Sequence, residues 1–366
     1  MVIARAPVRI SFGGGGTDLS AYYTRFGGLV VSAAITRYSY VVATTPIDGG
    51  IRLSSADYHV WETYRRGQVP PVREPLALPK AALERFASRG LREAGVDLFL
   101  ASEIPPGTGL GSSSAMAVAL AQALAAQTGA TLEPHEAAEI ASWIEIERLG
   151  MPIGKQDQYA SAFGGLNTIE FGSEGVRVTP LYLPADTVAA LASRLLLFAT
   201  GHSRESSGIL RQQRAETETN PRVIESLHQI KEFALRMRDA LVAEDLDGFG
   251  ELLHRAWLRK KRLTGGVSNA QIDEWYEAAR AAGALGGKIT GAGGGGFLLL
   301  YCSPRRQQAL RRAMSNFGLR EMSFDFDFQG ECLVNDEAGT GTSADDVRRE
   351  YDVPGRWNAL RMPRPW

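Results

Sequence analysis

Pro105-Pro106-Gly107-Thr108-Gly109-Leu110-Gly111-Ser112-Ser113-Ser114 stands between two apolar stretches, and the reading of the whole chain turns on it. Before it, residues 96–103 (VDLFLASE) have strand patterning. After it, residues 114–124 (SAMAVALAQAL) form a helix that is apolar almost all round, which marks a buried helix. Pro105 and Pro106 stiffen the entry, and Gly107, Gly109 and Gly111 permit tight curvature. The serines open the helix, where free N–H groups and the helix dipole make a site for an anion. A serine hydroxyl there can also ligate Mg²⁺. Alone, the segment also reads as an ordinary helix cap with a serine cluster, because glycine-serine loops are common. It is not a Walker A loop, because no Lys-Ser or Lys-Thr follows at the required offset.

Two further glycine-rich segments flank it in sequence. Residues 6–18 read APVRISFGGGGTD, and residues 286–296 read GGKITGAGGGG. The first lacks the strand-turn-helix setting of a dinucleotide fingerprint. In the second, each glycine costs about 1 kcal/mol relative to alanine in regular structure. Either a tight turn into the 297–300 strand or close approach of the backbone to a ligand accounts for that cost, and we favour the ligand.

The chain has 366 residues, 44% of them hydrophobic, which is enough for two domains. Its 40 basic and 41 acidic side chains leave a formal charge of −1. No general attraction to nucleic acid or to an anionic membrane is expected. Cys302 and Cys332 lie in no metal motif and read as buried thiols of a reducing compartment. No signal-like start and no apolar run of about 18 residues is present, so a cytoplasmic protein is expected.

Strands are expected over 2–12, 28–46, 50–55, 96–103, 166–182, 195–200 and 296–302. Helices are expected over 79–94, 114–124, 134–149, 222–243, 245–262 and 269–282, with a loop over 66–79. The alternation of Met322, Phe324, Phe326 and Phe328 with polar residues predicts a half-buried strand over 321–334. Regular β-α alternation is poor, so the expectation is a two-domain α+β body dividing near 180–200. The units are residues 1–190 and 191–334. A tail over 335–366 reads either as an arm or as disordered.

Together the three glycine-rich segments resemble the motifs of the galactokinase, homoserine kinase, mevalonate kinase and phosphomevalonate kinase (GHMP) superfamily. The resemblance covers most of residues 4–300, and residues 105–114 are its specific part. It implies an N-terminal domain like ribosomal protein S5 domain 2 and a ferredoxin-like C-terminal domain, with ATP and its acceptor between them. Pro106, Gly107, Thr108, Gly109, Leu110, Gly111, Ser112, Ser113 and Ser114 would then hold ATP. Asp157, in residues 150–159 (GMPIGKQDQY), resembles the family's catalytic aspartate, against the alternative of a solvated turn aspartate. Arg9 stands where the family carries Lys or Arg, and its expected role is electrostatic, since arginine donates no proton at neutral pH. Ser113 resembles the family's Mg²⁺ ligand. Glu145 shares a helical face with Ala138 and Ala141 and is the chosen carboxylate partner, with Glu147 the fallback. Lys155 and Lys288 either touch phosphate or pair with a local carboxylate, and His202 is a loop residue of open role.

For the acceptor, Gly15, Gly16, Thr17, Asp18, Asp157, Arg204, Gly293 and Gly294 are the expected contacts, with Asp18 on ring hydroxyls. Thr17-Asp18 matches the end of the galactokinase run, but the Glu-His pair before it is missing, which argues against galactose. The whole looks like the bacterial D-glycero-D-manno-heptose 7-phosphate kinases, which phosphorylate the anomeric hydroxyl. Arg204 or Arg211 would receive the distal phosphate. A fucokinase-like sugar 1-kinase is the runner-up. A silent nucleotide-binding regulator and a mevalonate-branch decarboxylase are less favoured. Expected partners are a small sugar or sugar phosphate, with no nucleic acid and no membrane; a homodimer stays open.

Overall fold

Two sheets organise the chain in the computed structural model, which describes residues 1–87, 91–201 and 206–334. The first half runs β1 (Val2–Gly13), α1 (Ser20–Phe26), β2 (Gly28–Thr44), β3 (Ile51–Ser55), β4 (Val60–Tyr64), α2 (Ala77–Phe86), α3 (Leu91–Ala94) and β5 (Val96–Ser102). It continues with α4 (Ser112–Gln127), α5 (Pro134–Ser142), a π-helical turn (Trp143–Arg148), α6 (Gln156–Phe163), β6 (Leu166–Gly172) and β7 (Gly175–Pro180). After α7 (Ala185–Arg194) come β8 (Leu195–Ala199), α8 (Ser206–Thr219), α9 (Pro221–Val242), α10 (Leu246–Lys260) and α11 (Ala270–Ala281). The last elements are β9 (Ala284–Ile289), β10 (Phe297–Cys302), α12 (Gln307–Asn316), β11 (Arg320–Met322) and β12 (Cys332–Leu333).

The first sheet has the order β12-β1-β2-β5-β3-β4, with β6 and β7 attached through β2. β2 is long enough to serve two neighbours in succession: residues 28–33 pair with β6 and residues 39–44 with β5. β1 runs antiparallel beside it, with register shifts at Pro7/Val8 and at Ser11/Gly13. Between those irregularities the strand period of two puts Arg9 and Ser11 on one face and Val8 and Ile10 on the other. α4 packs on β1 and β2, and Ala115 through Ala125 are all buried, as the unbroken apolar pattern requires.

The second sheet is antiparallel, β11-β8-β10-β9. α10 lies close on β9: a Cβ on Gly286 would stand 2.1 Å from the carbonyl oxygen of Gly250, so bare backbone lets helix and strand meet. That contact fixes where the end of α10, Lys260, emerges.

Several expectations need correction. The 321–334 strand reduces to β11, a single bridge between Phe326 and Ile35, and β12, which joins the first sheet beside β1. Asp327 breaks the pairing: it accepts from the N–H groups of Gln329 and Gly330, making a turn in place of a ladder. The 134–149 helix divides into α5 and the π turn, and the 79–94 helix into α2 and α3. Helices α1, α6, α7, α8 and α12 and strands β4 and β9 were not anticipated, and the 166–182 stretch divides into β6 and β7. Cys302 is buried, but Cys332 is half-buried, with its sulfur accepting from Arg5 Nε at 3.3 Å. The 335–366 tail lies outside the described residues.

Candidate active site

A cleft of about 420 Å³ brings together β1, the first glycine loop, the 106–114 loop, Glu145, residues 153–157, α8, Lys260 and the 290–295 turn. Gly107, Gly109 and Gly111 of the serine-glycine loop all take positive φ, 77°, 81° and 79°. Ala115 is the first residue of α4 whose N–H bonds back, to Gly111, so those of Ser112, Ser113 and Ser114 start without intrahelical partners. No acidic side chain occupies the first turn. This is an anion site built from a helix N-terminus and curled backbone. Thr108 and Leu110 brace it from behind: Thr108 Oγ1 donates to Pro105 O at 2.8 Å, and Leu110 O accepts from Arg9 N at 2.9 Å.

Asp157 stands in the first turn of α6, not in a turn outside regular structure. Arg9 clamps it from two nitrogens, Nε at 2.8 Å and Nη2 at 2.5 Å, both on Oδ1. A third nitrogen, Nη1, donates to Gly109 O at 2.8 Å, tying the pair to the loop. A Cβ on Gly111 would stand 3.2 Å from Asp157 Oδ2, so the carboxylate faces the mouth of the anion site.

Glu145 is fully buried in the π turn, whereas Glu147 is exposed, which separates the two metal-ligand candidates. Its Oε1 accepts from Ser113 Oγ at 2.6 Å and its Oε2 from Gln158 Nε2 at 2.6 Å. Burial, with the charge of Asp157 adding to it, pushes this carboxyl up to about 7 against the hydrogen bonds it accepts. A buried carboxylate with no cation on it, sharing a hydrogen bond with a serine at the anion site, is a hard-oxygen donor set that fits Mg²⁺. That ion keeps several waters and takes phosphate oxygens as well. Among the described residues no cluster of three or more His, Cys, Asp or Glu offers an all-protein cage.

Lys260 was missed by the sequence reading. It lines the cleft, half-buried, with Nζ donating to Gly291 O. Burial first, then the neighbouring Arg9, lowers its pKa to about 8. Lys288 sits behind the wall, its Nζ donating to Ser11 O at 2.7 Å, and Lys155 pairs with Glu139 at 3.0 Å. Lys155 therefore takes the local-carboxylate alternative, whereas Lys288 binds backbone carbonyls and takes neither.

On the acceptor side, Gly15, Gly16 and Asp18 line the cleft. Asp18 accepts from Gly16 N at 2.8 Å and from Gln156 Nε2 at 2.9 Å; burial, then the charge of Asp157, pushes its pKa up. Thr17 is not brought to the cleft. Its hydroxyl donates to Gly14 O and Leu29 O, holding the loop on β2. Gly293 lines the cleft, but Gly294 faces a separate recess beside Trp275. Arg211 is exposed on α8, and His202 and Arg204 lie outside the described residues.

The third glycine segment packs closely as well as lining the cleft. Added Cβ atoms would stand 2.5 Å from Gly109 Cα at Gly291, 2.6 Å from Val267 O at Gly293, and 2.1 Å from Thr108 O at Gly296. At Gly291 and Gly296 backbone of the second half thus lies directly on the anion loop of the first, while Gly291, Gly293 and Gly295 also line the cleft.

Two family models and several known proteins match this chain. The family model described as GHMP kinases N terminal domain matches residues 77–165, and that described as GHMP kinases C terminal matches residues 237–319. The D-glycero-alpha-D-manno-heptose 7-phosphate kinase of Campylobacter jejuni is 30% identical over 89% of this chain and 96% of that protein. An L-fucokinase/L-fucose-1-P guanylyltransferase of Bacteroides fragilis is 28% identical over 86% of this chain but only 36% of its own length. The crystal structure of a D-glycero-D-manno-heptose 1-phosphate kinase from Bacteroides thetaiotaomicron superposes with a TM-score of 0.77 at 29% identity, covering 92% of this chain and 99% of that one.

Proposed function

This chain belongs to the GHMP kinases, and from that premise we propose that it transfers the γ-phosphoryl group of ATP to the anomeric hydroxyl of D-glycero-D-manno-heptose 7-phosphate, giving the 1,7-bisphosphate. That it is an ATP-dependent sugar kinase rests on the family and on its heptose kinase relatives. One observation carries the chemistry: a carboxylate clamped by arginine faces the mouth of an anion-binding loop.

In this reading the N–H groups at the start of α4 hold the nucleotide's phosphates. Asp157 orients the sugar hydroxyl and takes its proton as the oxygen attacks phosphorus, and ADP leaves with the bridging oxygen. Arg9 fixes the carboxylate and, with Lys260, places positive charge where the transferring group passes. Ser113 and Glu145 are the residues that would hold Mg²⁺. The ion, when bound, neutralises charge on the phosphate oxygens. Asp18 binds ring hydroxyls, and Arg204 is the sequence-based candidate for the acceptor's own phosphate. No described helix is long and apolar enough to cross a membrane; a cytoplasmic setting, where ATP is made and thiols stay reduced, completes the reading.

The relative with fucokinase activity in its name favours one alternative, a kinase for an unphosphorylated sugar. An ATP-consumption screen over heptose 7-phosphate, free heptose and L-fucose, with NMR of the product, decides between them. We expect turnover of the phosphorylated heptose and a new phosphate on C1. Turnover of fucose alone would refute the proposed acceptor.

A further inference from the structure

Three polar atoms in the wall of the cleft are buried and have no hydrogen-bond partner: Ser11 Oγ, Gln156 Oε1 and Gln213 Nε2. Ser11 and Gln213 are 5% and 4% exposed. An unpaired buried polar atom costs free energy, so three around one cavity call for a common explanation. Their side chains flank the same stretch of bare backbone. A Cβ on Gly15 would lie 3.6 Å from Gln156 Nε2 and 3.7 Å from Ser11 Oγ, and one on Gly16 would lie 2.3 Å from Gln213 Nε2.

Gln213 comes from the second half of the chain. On α8 it follows the cleft-lining Leu210 by three residues and shares the buried face with Thr217, while Arg211, Gln212 and Arg214 are exposed. A glutamine on the buried face of this helix, with its NH₂ group unpaired beside Gly16 in the cleft wall, is poor packing unless the group has a ligand.

We infer that Gln213 is a specificity-determining residue for the sugar, donating from Nε2 to a hydroxyl oxygen above Gly15 and Gly16. The set of unpaired atoms defines the ligand chemistry. Gln156 Oε1 can only accept, Gln213 Nε2 can only donate, and Ser11 Oγ does both. A hydroxylated carbon chain satisfies all three. An ionised phosphate has no proton to give Gln156, so the acceptor's phosphate lies elsewhere. The inference rests on the sugar kinase reading above and adds the residue that discriminates among sugars.

Gln213→Met keeps length and bulk and removes the donor; Gln213→Glu keeps shape and also lacks it. For both we expect the KM of heptose 7-phosphate to rise about tenfold. The KM of ATP should stay within about twofold of wild type. Ligand-free Gln213→Met should melt at or above the wild-type temperature, because an unpaired buried amide has gone. An unchanged sugar KM, an equal rise in the KM of ATP, or a lowered ligand-free melting temperature would overturn the assignment. Wild-type enzyme that ignores heptose 7-phosphate but phosphorylates L-fucose refutes only the acceptor named above, and the variants are then read on fucose. Wild-type enzyme inactive on both sugars overturns the inference together with that reading.

Discussion

Lys260 offers a sharp test, because its charge state and its position lead to opposite demands. In the ligand-free cleft, burial and the charge of Arg9 bring its pKa from 10.5 down to about 8. At about 1.4 kcal/mol per pKa unit, that is about 3 kcal/mol of unfavourable free energy for holding the ammonium there. The native state binds this proton less tightly than the unfolded chain does. Wild type therefore carries the full cost below pH 8 and sheds it as pH rises towards 10.5. Lys260→Met should make the ligand-free enzyme more stable at pH 7, by up to about 3 kcal/mol in urea unfolding, with the gain gone by about pH 10.5. Turnover should move the other way. Losing one charge-assisted hydrogen bond to a phosphoryl group costs about 1.5–3 kcal/mol, or about 10- to 150-fold in kcat/KM for ATP. Because kcat/KM follows the free enzyme, the wild-type profile should fall about tenfold per pH unit above about 8. Lys260→Arg, which stays charged throughout, should lose that limb. A flat wild-type profile to pH 9.5, or the same limb in Lys260→Arg, would refute the reasoning.

Other substitutions separate the remaining roles. Asp157→Asn should lower kcat by about 10²- to 10⁴-fold with little change in nucleotide binding by calorimetry; near-normal turnover would remove it from the chemistry. Glu145→Gln should raise the Mg²⁺ concentration for half-maximal rate by about tenfold or more, while Glu147→Gln leaves it unchanged; equal effects would dissolve the distinction drawn from their burial. Gly109→Ala sets a Cβ 2.7 Å from Thr290 O at a φ of 81°. It should lower stability by about 1–3 kcal/mol and abolish thermal protection by ATP. Gly129→Ala, at a φ of 73° with nothing within 4 Å, controls for backbone strain alone, and its matching loss of protection would discount the loop contact.

What could be read in advance depended on whether the signal was local. α4 was legible because Ala115–Ala125 is apolar on every side, and only a buried helix tolerates that. Arg9 and Asp157 lie 148 residues apart, and no spacing rule joins them; the family resemblance did. Glu145 over Glu147 followed from the small residues on its face, although the π turn that presents it left no mark in the sequence. Lys260 stayed hidden because Arg259-Lys260-Lys261 reads as the solvated last turn of an amphipathic helix. Its place in the cleft comes from the Gly250–Gly286 contact between α10 and β9. The 321–334 alternation misled for a related reason: Asp327 satisfies nearby N–H groups, which a period-two pattern does not disclose.

Gly291 against Gly109 and Gly296 against Thr108 have a consequence for how such a chain can change over time. Where main chain meets main chain, neither side has atoms to trim, so a methyl group gained by one cannot be absorbed by a smaller neighbour. The two segments lie some 180 residues apart in sequence, yet they tolerate change only as a matched set. Gene shuffling that exchanged one half for a distant homologue's would therefore be filtered first at this seam, before any difference in sugar preference came into play.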